Sequence, residues 1–481
     1  MKNKIVFAAV VMLLLCCTNR GFAQFYGSNI LETQYGKLPT DTINFGTAYD
    51  RALLGYTYKR FTAGVTLENY YTRYEERNYT QFTQYSLKYN SNILDVSLGN
   101  FNETIGRGIL LRSFEIPGAI LEDQGFRSRN YFFRDVQGVT AKLKLKDFTT
   151  KVIWGKPLNN VFPPNQDNAI RRIDEIKAIY SDYTFKKQTL GASFLALDND
   201  KGNSNYSMIT LSGVLSPKIN YYTEIANDLD NAATHAYYGN INFTFDNLGI
   251  TAEVKDYNNF LLGSGFNEVP ALIKEHSYRV LNRSTHVVQP INESGYQIEV
   301  YYTFPDSSVL TLNNALAKND LDKEYIFQEY FAEYSFSIAA HHDFKLFLDY
   351  AQDPFKDQTD RLSTGIYADW KIAEKSSIKT EYEFQYFNRG GINVQNQLLT
   401  LGYAFQSKWV FSLVSELSND PFLTNKSWKT WFGGNLKYQI NNENSLQLFA
   451  GQRRGGPACN AGNCYEVLDY EGVELRWTTR F

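Results

Sequence analysis

Val467-Leu468-Asp469-Tyr470-Glu471-Gly472-Val473-Glu474-Leu475-Arg476-Trp477-Thr478-Thr479-Arg480-Phe481 ends the chain. Val473, Leu475, Trp477, Thr479 and Phe481 fall on one face of an extended segment, and Glu474, Arg476, Thr478 and Arg480 on the other. That two-residue period is a β-strand with one apolar and one polar face. A strand of a soluble sandwich can alternate in the same way. A Trp four residues before a terminal Phe carboxylate instead suits a strand whose apolar face meets lipid.

At the other end, Lys2 and Lys4 precede an apolar run from Ile5 to Cys17, followed by Thr18-Asn19-Arg20 and Gly21-Phe22-Ala23. Small residues stand first and third before Gln24, and the run is too short for a spanning helix. Residues 1–23 therefore read as a cleaved export signal and 24–481 as the mature chain. A lipoprotein signal would use Cys16 or Cys17, but neither follows the small residue that acylation favours.

Losing Lys2, Lys4 and Arg20 makes the formal charge of −3 more negative, which excludes the basic excess of a nucleic-acid binder. No other segment approaches the roughly 20 apolar residues of a spanning helix, so any membrane crossing must use strands. Tyr 35, Phe 34 and Trp 6 supply the aromatic girdles a membrane barrel needs. A secreted sandwich or solenoid could be as Tyr-rich, but would not need the terminal strand. No Pro/Ser-rich linker divides the mature chain, which reads as one domain.

Short turn signals recur along the sequence. Tyr58-Lys59-Arg60-Phe61, Asn90-Ser91-Asn92, Lys146-Asp147, Lys186-Lys187-Gln188, Ser216-Pro217-Lys218 and Asp246-Asn247 open the series. Pro305-Asp306-Ser307, His341-His342-Asp343, Ala373-Glu374-Lys375, Gln406-Ser407-Lys408 and Asn441-Asn442-Glu443 complete it. Most neighbours lie roughly 30 to 40 residues apart, room for two spanning strands of about 10 residues and one loop. Between turns, Phe61, Ala63, Val65 and Leu67 alternate with Thr62, Gly64, Thr66 and Glu68; Leu248, Ile250, Ala252 and Val254 do so with Gly249, Thr251, Glu253 and Lys255. The expected fold is all-β, an antiparallel up-and-down transmembrane barrel of about 24 strands (about 20 to 26) with one or two loops folded into the lumen.

Two long connections stand out, Asn102 to Asp135 and Asp256 to Glu293. In the first, Gly106 and Gly108 permit a tight bend around Arg107, with no strand and helix to make Gly-x-Gly a nucleotide fingerprint. Glu103, Arg107, Arg112, Arg127, Arg129, Arg134 and Asp135 are candidates for a lumen constriction offering guanidinium donors to an anionic solute or acidic peptide. The same arginines could instead pair with Glu103, Glu115, Glu122, Asp123 and Asp135 to hold an inward loop. In the second connection, Phe260, Leu261, Leu262 and Phe266 are apolar for a loop facing water. They mark either a partner contact or packing into the barrel's mouth.

Cys459 and Cys464, with Gly462 between them, suit a small disulfide loop in an oxidising compartment; a zinc site would need two further ligands. A hydrolytic barrel would need a His beside Ser or Asp. His235, with Asp228 and Asp230 close in sequence, is the one histidine near an outer strand end outside a long loop, and no serine partner can be identified. A non-enzymatic protein without metal or cofactor is the expectation.

The export signal, the alternating strands and the final Trp-Thr-Thr-Arg-Phe resemble a Gram-negative outer-membrane β-barrel over essentially the whole chain. That resemblance implies that Leu475, Trp477, Thr479 and Phe481 are read by the barrel-assembly machinery during insertion into outer-membrane lipid, with both termini periplasmic. More narrowly, Gly99-Asn100-Phe101-Asn102-Glu103-Thr104-Ile105-Gly106-Arg107-Gly108, the late cysteine pair and Gly472-Val473-Glu474-Leu475 are similar to barrel proteins of the Bacteroidota with no established activity. A TonB-dependent transporter fits less well, because the first strand candidate, Asn29 to Gly36, begins almost at the cleavage site. Two functions follow as expectations. One is a porin-like passive or gated channel for small hydrophilic or anionic solutes. The other is a scaffold or accessory subunit of an envelope secretion or assembly complex, with a plugged lumen and an envelope protein partner.

Overall fold

A computed structural model of the chain describes residues 23–37, 42–122, 128–339, 341–424, 428–460 and 463–481, so the expected export signal up to Phe22 lies outside it. Twenty-four antiparallel strands form one closed sheet. Each pairs with its neighbour in sequence, except that the inward-folding Asn102–Asp135 segment separates Leu94–Phe101 from Val136–Leu145 and a small hairpin precedes the last strand. Closure comes from Ala23–Lys37 pairing with Tyr470–Arg480, from Ser28 opposite Arg480 to Lys37 opposite Glu471. The terminal Phe481 extends this seam by exchanging backbone hydrogen bonds with Gly27 (2.8 and 3.0 Å) and stacking on Phe25 at 5.8 Å. Closure matters because an open edge in hydrocarbon would leave a row of unpaired N–H and C=O groups. Among the described residues no helix is long and apolar enough to cross a membrane.

All the turn signals in the sequence lie between consecutive strands at one end of the barrel, together with Ala23 and Phe481, the first and last described residues. At several of them lysine takes the left-handed conformation usually given to Gly or Asn: Lys59 (φ 56°), Lys146 (φ 48°) and Lys186 (φ 56°). The longer connections gather at the opposite end.

Strand faces divide by polarity. Ile209, Leu348, Leu401, Leu413, Val473 and Trp477 are exposed on the outside, while Glu32, Glu68, Glu224, Lys255, Glu293 and Glu474 are buried on the inside. Exposed rings form two belts: Tyr58, Phe61, Phe148, Phe185 and Trp370 near the short turns, and Tyr35, Tyr71, Phe82, Trp154 and Phe432 near the other end.

At the seam a row of glycines crosses four strands, with Gly433 opposite Gly451, Gly451 opposite Gly472 and Gly472 opposite Gly36. A Cβ on Gly472 would meet the Tyr35 carbonyl oxygen at 2.3 Å and the Gly36 Cα at 2.6 Å. The sheet therefore approaches itself here more closely than side chains allow, as barrel corners require. Gly472→Val should abolish the compact, heat-modifiable form on gel electrophoresis. Gly249→Ala, where the nearest neighbour of a Cβ, the Tyr301 Cβ, is 4.0 Å away, should leave it intact.

Candidate functional site within the lumen

The first long loop enters the lumen as a hairpin, Thr104–Ile105 against Leu111–Arg112, with Gly106 (φ 61°) and Gly108 (φ 106°) at its tip. Glycine is required at the tip because a Cβ on Gly106 would lie 2.0 Å from the Glu224 carboxylate of the wall. The bare backbone instead lets Arg107 N–H donate to Glu224 Oε2 at 2.9 Å. Ile105, Ile109, Leu110 and Leu111 are fully buried against inward residues of the wall such as Ile153, Ile176, Leu195 and Met208.

The candidate constriction residues are distributed along this loop's fastenings. Arg129 pairs with Glu32, donates to Gln34 Oε1 at 2.7 Å and lies 3.6 Å from Glu122. Glu32 also receives Arg476 Nε at 2.7 Å, so one carboxylate ties the loop to both seam strands. Arg112 meets Glu268 at 3.2 Å, and Arg134 donates to the Gly265 carbonyl at 2.8 Å, both on the second loop. Glu103 pairs with Lys151, and Asp135 accepts from Arg172 at 2.5 Å and Asn100 at 2.9 Å. Apart from the Arg129–Glu122 contact, these partners lie on the wall, on the second loop or, for Arg172, on the 158–174 connection, rather than among the loop's own acids. Arg107 is exposed, its guanidinium 4.9 Å from the Tyr222 ring centre. Arg127 and Asp123 lie outside the described residues.

The second loop, residues 259–291, fills the lumen beside the first. At its apolar start Phe260 (0%), Leu262 (1%) and Phe266 (4%) are buried inside the barrel, in keeping with the packing alternative, whereas Leu261 is 50% exposed. The physical reason is that the lumen behind the first loop is lined with apolar wall residues, and these rings complete that cluster. Buried Asn267 joins the loops, donating to the Ile109 and Phe260 carbonyls at 3.0 and 2.8 Å. Backbone bonds from Glu268 to Gly108 (3.0 Å) and from Arg112 to Phe266 (3.3 Å) complete the junction.

Beyond Leu272 the contacts change character. Lys274 pairs with Glu299, His276 lies 3.2 Å from Glu329, and Tyr278 Oη donates to Glu333 at 2.6 Å. The backbone N–H groups of Arg279 and Val280, opening a one-turn helix (Arg279–Asn282), donate to Glu383 at 2.7 and 2.8 Å. Arg283 grips Glu416 through two bonds of 2.6 and 3.2 Å. His286 lies 3.5 Å from both Glu293 and Asp353 and stacks on Phe327 at 4.4 Å. A predominantly basic segment thus lies along an acidic wall. Sequence reading missed this latch, whose only local signal was isolated carboxylates at inward positions of otherwise ordinary strands.

His276, Glu329 and Asp349 bring ligand atoms within 4.8 Å of one another, the chemistry of a metal site. Arg361, however, donates to Glu329 at 2.9 Å and Asp349 at 3.2 Å, so a guanidinium already supplies the positive charge there. His235 engages Asp256 (3.2 Å) and the Ala233 carbonyl (3.1 Å) rather than Asp228 or Asp230. Cys459 and Cys464 are opposite residues of the Gly456–Asn460 and Asn463–Val467 hairpin, and their side chains lie outside the described set.

Burial opposes charge on His286, but the carboxylates of Asp353 and Glu293, each 3.5 Å from a ring nitrogen, outweigh it and raise its pKa. Its contribution is therefore fully present below the ordinary histidine value of about 6.5 and is lost as pH rises through the raised value. Limited proteolysis of the 274–289 segment should accelerate over that rise, and His286→Gln should remove this arm of the pH dependence. No curated protein matches the sequence. The P pilus usher (PapC) translocation pore resembles the structure with a TM-score of 0.50 at 8% identity, covering 95% of this chain and 99% of that one. A chain of an E. coli P pilus tip assembly intermediate, PapC-PapD-PapK-PapG, gives 0.55 at 9% identity, covering 95% of this chain and 60% of that one. Such identities speak for the fold, a barrel of outer-membrane type. Residues 46–481 match DUF6029, a family of unknown function, and the chain belongs to that family.

Proposed function

We propose that the protein is a non-enzymatic, gated outer-membrane channel for small hydrophilic or anionic solutes, with both termini periplasmic and an export signal cleaved after Ala23. The observation that carries this reading is the unequal fastening of the plug. The first loop and the start of the second are buried in the most extensive apolar cluster of the described residues, while residues 274–289 add only a small one, Tyr278 and Leu281 against Phe331 and Phe347, to their ion pairs and hydrogen bonds with the acidic wall. Apolar burial resists water, whereas paired charges regain hydration when they part, so the second segment is the one suited to move. The first loop, with exposed Arg107 at its tip, then constricts the path that remains. A disulfide between Cys459 and Cys464 would stiffen the last outer hairpin.

A plugged scaffold of an envelope assembly complex is the second reading. It is favoured by exposed apolar residues on the connections of the long-loop end, Leu261 (50%) and Phe422 (75%), and by the likeness to an usher captured with pilus proteins. Planar-bilayer conductance separates the two. The channel reading expects brief, small openings in wild type and large, sustained steps when residues 274–288 are replaced by a short Gly/Ser linker. Silence in both proteins, with a partner retained in mild detergent, would favour the scaffold.

A further inference from the structure

Between the second loop and the last connection of the long-loop end, the plug leaves a cavity of about 480 Å3. Four arginines, Arg279, Arg283, Arg453 and Arg454, line it together with Glu416 and Trp431. Positive charge exceeds negative in this lining. Glu416 is shared by Arg283 (2.6 Å) and Arg279 (3.7 Å), and Arg453 lies 3.3 Å from Glu474. Arg454 is only 7% exposed and gives one N–H to Asn396 Oδ1 at 3.2 Å. Its Nε has no acceptor among the described residues, and neither has the buried Nε of Arg453. The nearby acids are committed elsewhere: Asp420 holds Arg389 at 2.5 Å and Asp469 holds Lys429 at 2.8 Å. Burial and the adjacent Arg283 charge push Arg454 down to about 10, which leaves it cationic at neutral pH.

Four guanidinium groups around a single carboxylate leave the chamber short of negative charge, and the planar fork of arginine matches an oxyanion. The volume is that of a small-molecule site. We propose that this chamber binds a small oxyanion-bearing solute, with Arg453 and Arg454 meeting the acid group and Arg279 and Arg283 closing over it from the second loop. The inference deepens the channel reading, on which it rests only for the identity of the solute as cargo; binding itself is read without conductance.

The test is calorimetric titration of the full chain in detergent with citrate, glucuronate and inorganic phosphate, with glucose as the neutral control. Saturable binding of at least one acid but not of glucose is expected, weakened about tenfold or more in Arg454→Gln, the loss of one charge-assisted bond pair. Arg60→Gln, in a turn at the far end, should bind like wild type. Should Arg454→Gln lose the heat-modifiable form, Arg279→Gln at the 43% exposed rim position takes its place, with weakened binding expected. Absence of saturable binding by all three acids, or binding unchanged in a folded variant, would overturn the assignment.

Discussion

Closure of the sheet is the constraint on which the rest depends. Within hydrocarbon every backbone donor and acceptor must find a partner inside the protein, and a strand assembly achieves this only by joining its first strand to its last. Ala23–Lys37 and Tyr470–Arg480 make that joint, with the Gly36 and Gly472 backbones in close approach and Phe481 stacked on Phe25. Closing 24 strands encloses more space than wall side chains can fill. The two long loops answer that consequence by folding inward.

How they are held follows from the polarity of the inner face. Where the wall presents Ile153, Ile176, Leu195 and Met208, the loops answer with Ile105, Ile109, Leu111 and Phe260, and an ordinary hydrophobic core forms inside a membrane barrel. Where it presents Glu299, Glu329, Glu383 and Glu416, the second loop answers with Lys274, His276, the helix N–H groups and Arg283. Buried pairs of this kind add little net stability, because desolvation offsets much of the attraction, but removing one partner leaves a costly lone charge. Such contacts specify the seating of the loop more than they tighten it.

Much of the fold was legible because a strand writes its two faces into a period of two. The turn series placed every connection at one end of the barrel, and the two long connections were visible as gaps in that series. The candidate site was less legible. Arg107, Arg112, Arg129 and Arg134 stood out as a cluster, yet their partners lie far along the chain, as with Arg129 and Glu32 or Arg112 and Glu268. Phe260, Leu262 and Phe266 were ambiguous between a sticky exterior and a filled interior, since an apolar loop looks the same in either place until the wall behind it is known. Arg454 sat in plain view beside a cysteine pair, without any sign that it is buried.

By itself the sequence determined the fold class, the strand number to within a few, the end of the barrel that carries the short turns and the polarity of each wall face. These depend on local periodicity and turn chemistry, which neighbouring residues set. Only the tertiary structure decided that both long loops fold into the lumen, which stretches of them meet apolar wall and which meet acidic wall, and where arginines gather around a cavity. Those properties arise between residues tens to more than a hundred positions apart, brought together by the closed sheet, and no local pattern encodes that pairing.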